Sequence, residues 1–226
     1  MKEDLIRYMT NRSDRTKSSN KMAGPVITIS REKGCPANTI AEKLSKKLSL
    51  RSKGGDWKWV NKMILEKSAE ELHMNTSKIN HVLYSEDKGF FRDLILSFGE
   101  KYYESDVSVK KTLADLILEF STKGNVIIVG LGGVAISKDI KSSLHIKLFA
   151  SEKYRIKRVM KLEGMNFEKA HDYLKETDVN RKMIIDYFNG LKVGNDLFHA
   201  QFNCQTMSED EIVESILDLM KLKHLI

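Results

Sequence analysis

Covalent and metal stapling have little to work with in this chain. Its two cysteines, Cys35 and Cys204, lie far apart and offer no metal-ligand spacing. A disulfide framework or zinc module is therefore not expected, and a reducing, cytoplasmic setting is the simpler expectation. There are only two prolines in 226 residues, which leaves few enforced breaks and favours helices. Long apolar runs are also missing. The longest, Val126 to Ile136, is interrupted by three glycines, far short of the roughly 20 residues that a membrane span requires. The opening stretch MKEDLIRYM has early acidic residues and no apolar core, so a secretory signal is not expected.

What is present suits one globular domain with a possible subdomain. Hydrophobic residues make up 41% and charged residues 31%, enough of each for a real core and a solvated surface. The net charge of +7 is unevenly distributed: residues 1–67 hold 16 Lys and Arg against 7 Asp and Glu, whereas residues 68–226 hold 22 against 24. A basic first third fits a solvated face, a phosphate-bearing small ligand or a nucleic acid. Nucleic acid has the least support, since no aromatic-interleaved basic sheet and no zinc-finger spacing accompanies the charge.

The stretch VITISREKGCPANTIA, 26–41, reads as a buried strand, a polar turn and a helix opening near Asn38 or Thr39. A strand feeding a glycine-bearing turn that opens a helix is the layout of a phosphate-binding loop, with amide N–H groups and the positive dipole end facing the ligand. Ile40, Leu44 and Leu48 continue the helix. After a polar turn at RSKGGD, residues 56–60 suit a short strand and 61–72 a helix. The aromatic-rich segment that follows suits subdomain packing. A helix over 109–120 ends at Lys123-Gly124-Asn125, and the apolar strand Val126 to Val129 runs directly into Gly130-Leu131-Gly132-Gly133. Strands are expected over 144–149 and 198–203, and helices from Ser151, over 167–188 with a break near Thr177, and from a capping box at Ser208 and Glu211. His145 and His199 read as structural. Strands alternating with helices give an α/β fold whose parallel sheet is covered on both faces. Ligands bind such sheets beyond the carboxyl ends of the strands, where both glycine-bearing turns fall.

These residues support a resemblance. ITISRE followed by G-x-x-x-x-x-I-A resembles the opening of the cytidylate kinase-like family, a branch of the P-loop nucleoside monophosphate kinases. GDWKWVNKMILEKSAEEL, KGNVIIVGLGGVAI, and Arg155 and Arg158 followed by Thr177-Asp178 and Arg181 resemble further family segments in the same order. The likeness runs over about 26–226 and leaves 1–25 as an extension. It implies a three-layer P-loop kinase-like fold with a five-stranded parallel sheet, an acceptor-binding subdomain at 61–106 and a lid at 151–188. It also implies phosphoryl transfer from ATP, with Mg2+, to a nucleoside monophosphate such as CMP. Nucleotides would be the partners, and neither nucleic acid nor a membrane is expected.

The departures lie where that chemistry belongs. Aligned on GxxxxGK[ST], the second glycine falls on Pro36, the lysine on Ala37 and the hydroxyl on Asn38 or Thr39. The arginine of the family's GRGG turn is Leu131. The resemblance leaves Lys33, Arg155, Arg158 and Arg181 as candidate catalytic cations. Gly34, Cys35, Asn38 and Thr39 are candidates to hold ATP, with Thr39 also a candidate magnesium ligand. Gly130, Gly132, Gly133 and Asp178 are candidates to hold the acceptor. Lys33 reads equally as an exposed loop lysine, Thr39 as a helix cap and the arginines as surface ion-pair partners. Cys35 stands just before a helix start, where a thiolate is favoured. Two outcomes follow: an active kinase, or a catalytically inactive nucleotide- or anion-binding member of the fold with a regulatory or interaction role.

Overall fold

A computed structural model describes residues 25–51, 55–61 and 105–226. The extension and nearly all of the expected acceptor subdomain lie outside the described residues. The elements in chain order are β1 (Val26–Arg31), α1 (Ala37–Arg51), β2 (Lys58–Val60), α2 (Ser105–Lys123), β3 (Val126–Val129), α3 (Gly133–Ile136), β4 (Ser143–Phe149), α4 (Glu152–Glu163), α5 (Phe167–Asn189), β5 (Ala200–Asn203) and α6 (Glu209–Leu222). The five strands form one parallel sheet in the order β2-β3-β1-β4-β5. β1 is therefore central, which is why Val26 to Ser30 are all buried.

Strand alternation divides the core between two faces. Ile27, Ile29, Ile127, Val129, Leu144, Ile146 and Leu148 pack with Ile40, Leu44 and Leu48 of α1 and with Ile212, Ile216, Leu217 and Met220 of α6. Val26, Val60, Val126 and Ile128 pack with Leu113, Ile117 and Phe120 of α2 and with Phe188 of α5. Ser208 and Glu211 form the expected capping box, which ties down the start of α6. α5 runs unbroken through Thr177 for 23 residues and ends at Gly190 in the left-handed conformation. The expected break is absent because nothing there disrupts the ladder. Thr177 lowers helix propensity only slightly, and its neighbour Asp178 is engaged across the molecule instead of capping locally. Among the described residues, no helix is long and apolar enough to cross a membrane.

His145 sits inside the sheet, 3% exposed. Its ring bonds to the hydroxyls of Thr28 at 2.8 Å and Ser143 at 3.0 Å and stacks on His199 at 5.1 Å. Burial, followed by the unfavourable charge coupling to His199 and Lys223, pushes it down to about 4. Above the ordinary histidine value of about 6.5, both the folded and unfolded forms are neutral. Below it, only the unfolded chain takes up the proton until the pH approaches the folded value, so stability falls as pH drops through that window. Urea unfolding at pH 7 and pH 4.5 is expected to show a loss of roughly 2.4 kcal/mol attributable to this residue. His145→Gln should flatten that part of the profile, and an unchanged slope would refute the assignment.

Candidate functional site

The turn after β1 is built by folding on itself. The Cys35 N–H donates to the Glu32 carbonyl at 3.2 Å and the Ala37 N–H to the Cys35 carbonyl at 2.9 Å. Pro36 has no N–H to offer. The Lys33 N–H donates to Asp178 Oδ1 at 2.6 Å. The amides that a phosphate-binding loop presents to its ligand are thus largely engaged within the protein.

The carbonyl oxygens are engaged as well, by the cations that the sequence reading assigned to phosphate. Arg155 Nη1 donates to the Lys33 carbonyl at 3.3 Å, Arg158 Nε to the Gly34 carbonyl at 2.9 Å and Arg181 Nη1 to the Arg31 carbonyl at 3.2 Å. α4 and α5 deliver these arginines because they pack on each other through Ile156, Val159, Ala170 and Leu174. Arg155 is the deepest of the three. Its side chain, 10% exposed, also pairs with Glu32 at 3.1 Å and with Asp178 Oδ2 at 2.6 Å. Asp178 Oδ1 lies 3.7 Å from Arg181, so one carboxylate ties the loop to both α4 and α5. Gly34 is required at this junction. It holds φ +95°, and a Cβ there would come within 2.9 Å of the Arg155 carbonyl.

The other sequence candidates are spread around this junction. Lys33 Nζ turns to α4 and α5, reaching Glu163 at 3.0 Å and the Tyr173 hydroxyl at 3.1 Å, and lies 4.3 Å from the Tyr173 ring centre. Asn38 and Thr39 are exposed in the first turn of α1, and Asn38 accepts from Asn61 Nδ2 at 3.2 Å. Cys35 packs against the core cluster that holds Cys204. The hydrogen bond between the two thiols, reinforced by burial, pushes Cys35 up, the reverse of the thiolate expected at a helix start. Gly133 packs on Ile128, so a Cβ there would come within 2.9 Å of that side chain. Among the described residues, no group of three His, Cys, Asp or Glu side chains could hold a metal ion.

Beside the closed loop lies an open pocket of about 470 Å3, beyond the carboxyl ends of β1 and β3. The turn after β3 supplies Gly130, Leu131 and Gly132; α5 supplies Asp178 and Arg181; the segment before β5 supplies Asn195 and Phe198. Leu131 holds φ 58°, a conformation that costs a residue with a Cβ on the order of 1 kcal/mol. The β1–β4 register pairs Ser30 with Lys147, and both line this pocket. Arg31 lines it too, and counting back along the GxxxxG pattern from Pro36 places Arg31 on the first glycine. Its guanidinium lies across Gly130, where a Cβ would stand 1.7 Å from Nη1. Of the candidate residues, Gly130, Gly132, Asp178 and Arg181 meet in this pocket, whereas Gly34, Cys35, Asn38 and Thr39 do not line it. Arg31, Lys147 and Phe198 did not stand out in the sequence. The register of the degenerate motif is the one signal that could have found Arg31, and nothing local marks the other two.

A model of the cytidylate kinase-like family matches residues 26–203. Among solved structures, an uncharacterized protein from Eubacterium ventriosum ATCC 27560 superposes with a TM-score of 0.60 at 17% identity, covering 87% of this chain and 98% of the other. A shikimate kinase from Bacteroides thetaiotaomicron superposes with a TM-score of 0.47 at 14% identity, covering 88% and 97% respectively. Among curated proteins, none matches the chain.

Proposed function

Because the chain belongs to the cytidylate kinase-like family, we propose that it binds a nucleoside monophosphate such as CMP beyond the carboxyl ends of its strands, without efficient phosphoryl transfer from ATP. The observation that carries this reading is that Arg155, Arg158 and Arg181 all donate to carbonyl oxygens of the turn after β1. A triphosphate needs donors from both the loop and the lid. Here the loop turns oxygen atoms toward the lid, and oxygen repels phosphate. The loop as folded does not fit ATP. For Mg2+, the exposed Thr39 hydroxyl is a single weak ligand with no carboxylate cluster beside it among the described residues.

The expected result is CMP binding by calorimetry, with no ADP formed above the protein-free rate when ATP, Mg2+ and each nucleoside monophosphate are supplied. Sustained turnover would reverse the conclusion. A second reading is favoured by the convergence of three arginines on one turn. If the lid swings away and re-forms over bound ATP, Lys33, Arg155, Arg158 and Arg181 become the cations that stabilise the transferring phosphoryl, over a nucleotide held at Gly34, Cys35, Asn38 and Thr39. On that reading, adding ATP and Mg2+ together with CMP protects α4 and α5 from proteolysis more than CMP alone does.

A further inference from the structure

Among the described residues, the charges around the open pocket do not balance locally. Arg181 is opposed by Asp178 at 3.7 Å, and Lys182 pairs with Asp186 at 3.1 Å. Glu32 is taken by Arg155 at 3.1 Å. Lys147 reaches the neutral side-chain oxygen of Asn195 at 3.0 Å and lies 5.7 Å from the Phe198 ring centre, with no carboxylate partner among the described residues. The Arg31 guanidinium makes no hydrogen bond or ion pair with any described residue. Arg31 is half-buried where it lines the pocket, and its five donors there meet no anion among the described residues. Burial, followed by repulsion from Arg181, lowers Arg31 to about 9 against the opposing pull of Asp178, so it remains charged at neutral pH. The rest of the wall is apolar, with Leu131, Ile184, Ile185 and Phe198.

We infer that this pocket is an anion subsite in which Arg31, assisted by Lys147, holds the phosphate of a phosphate monoester whose flat body lies against Phe198 and Ile185. The inference rests on the nucleoside monophosphate reading above and names the anchor within it. Arginine suits the role because its planar fork can meet two phosphate oxygens at once. Gly130 makes room for the fork, and Leu131 leaves the turn without a competing cation. On this account the phosphate is held from the end of β1, and the lid arginines that the family resemblance singles out are not its anchor.

The test measures binding of CMP, cytidine and inorganic phosphate to the whole chain by calorimetry, with thermal melts as the second readout. Arg31→Gln should weaken CMP binding by about 10- to 100-fold, the range for losing charge-assisted bonds to a phosphate. Cytidine binding should be unaffected, and Arg31→Lys should recover part of the loss. Lys221→Gln, an exposed cation on α6 that pairs with Asp218 away from the pocket, should leave CMP affinity within about threefold of wild type. Arg31→Met keeps the apolar stem and removes the unpaired charge, so its Tm should equal or exceed that of wild type; a purely structural arginine would lower it. CMP binding equally well to wild type and Arg31→Gln overturns the subsite and leaves the nucleotide reading intact. Inorganic phosphate raising Tm only when Arg31 is present, with no CMP affinity, supports the subsite and overturns the nucleotide reading. Wild type that binds neither overturns both.

Discussion

Replacing Ala37 with lysine, the change that would rebuild the lysine of the GxxxxGK[ST] pattern, is expected to destabilise the protein by several kcal/mol and to restore no phosphoryl transfer. Ala37 is 3% exposed and packs in the cluster formed by β1, α1 and α6. A lysine there must either place its ammonium among Ile29, Ile40 and Leu148 or force the first turn of α1 away from the sheet. The first choice carries the cost of an unpaired buried charge, several kcal/mol after relaxation. The second adds overpacking strain of about 1–3 kcal/mol. A cation at a helix start also opposes the dipole. Urea unfolding should show a midpoint well below that of wild type, and a coupled ADP assay should show no gain. A variant with the wild-type midpoint and measurable transfer would mean that the side chain reaches the loop, and would restore the active-kinase reading.

Asp178→Ala should produce the other large effect. Its carboxylate accepts the Lys33 N–H at 2.6 Å and Arg155 Nη1 at 2.6 Å, and lies 3.7 Å from Arg181. Removing it leaves a loop amide without its acceptor and strips one of two carboxylates from an arginine side chain that is 10% exposed. Breaking a buried pair from one side costs about 3–5 kcal/mol. For a chain of this size that corresponds to a fall in Tm of about 10 °C. Asp178→Asn keeps one acceptor oxygen and should fall between the variant and wild type. The effect should be concentrated in α4, α5 and the turn after β1, so hydrogen exchange is expected to rise there and remain slow in β1, β3 and β4. Uniform loosening of the whole sheet would show that Asp178 supports the fold generally and does not latch α4 and α5 to the turn after β1.

Much of the architecture was legible in local pattern. Val126 to Val129 are apolar at every position because a central parallel strand is covered on both faces. Ser208 and Glu211 announced α6 because a capping box satisfies its bonds within four residues. Lys123-Gly124-Asn125 stopped α2 for an equally local reason. The expected break at Thr177 failed for the converse reason. Asp178, beside Thr177, extends away from its own helix to a residue 145 positions earlier, and leaves the ladder of α5 intact.

The sequence by itself determined that this is a parallel α/β protein, that its glycine-bearing turns meet at the carboxyl end of the sheet, and that its phosphate loop lacks the usual second glycine and lysine. Those properties follow from period, capping chemistry and residue identity, each confined to a few neighbouring positions. Only the tertiary structure decided where the charges act. It turned Arg155, Arg158 and Arg181 onto loop carbonyl oxygens, buried Ala37, and left Arg31 facing an open pocket beside Lys147. A charge's role depends on which opposite charges and dipoles lie within a few ångströms. Here those neighbours come from elements more than a hundred residues apart, and the folded chain alone sets their distances.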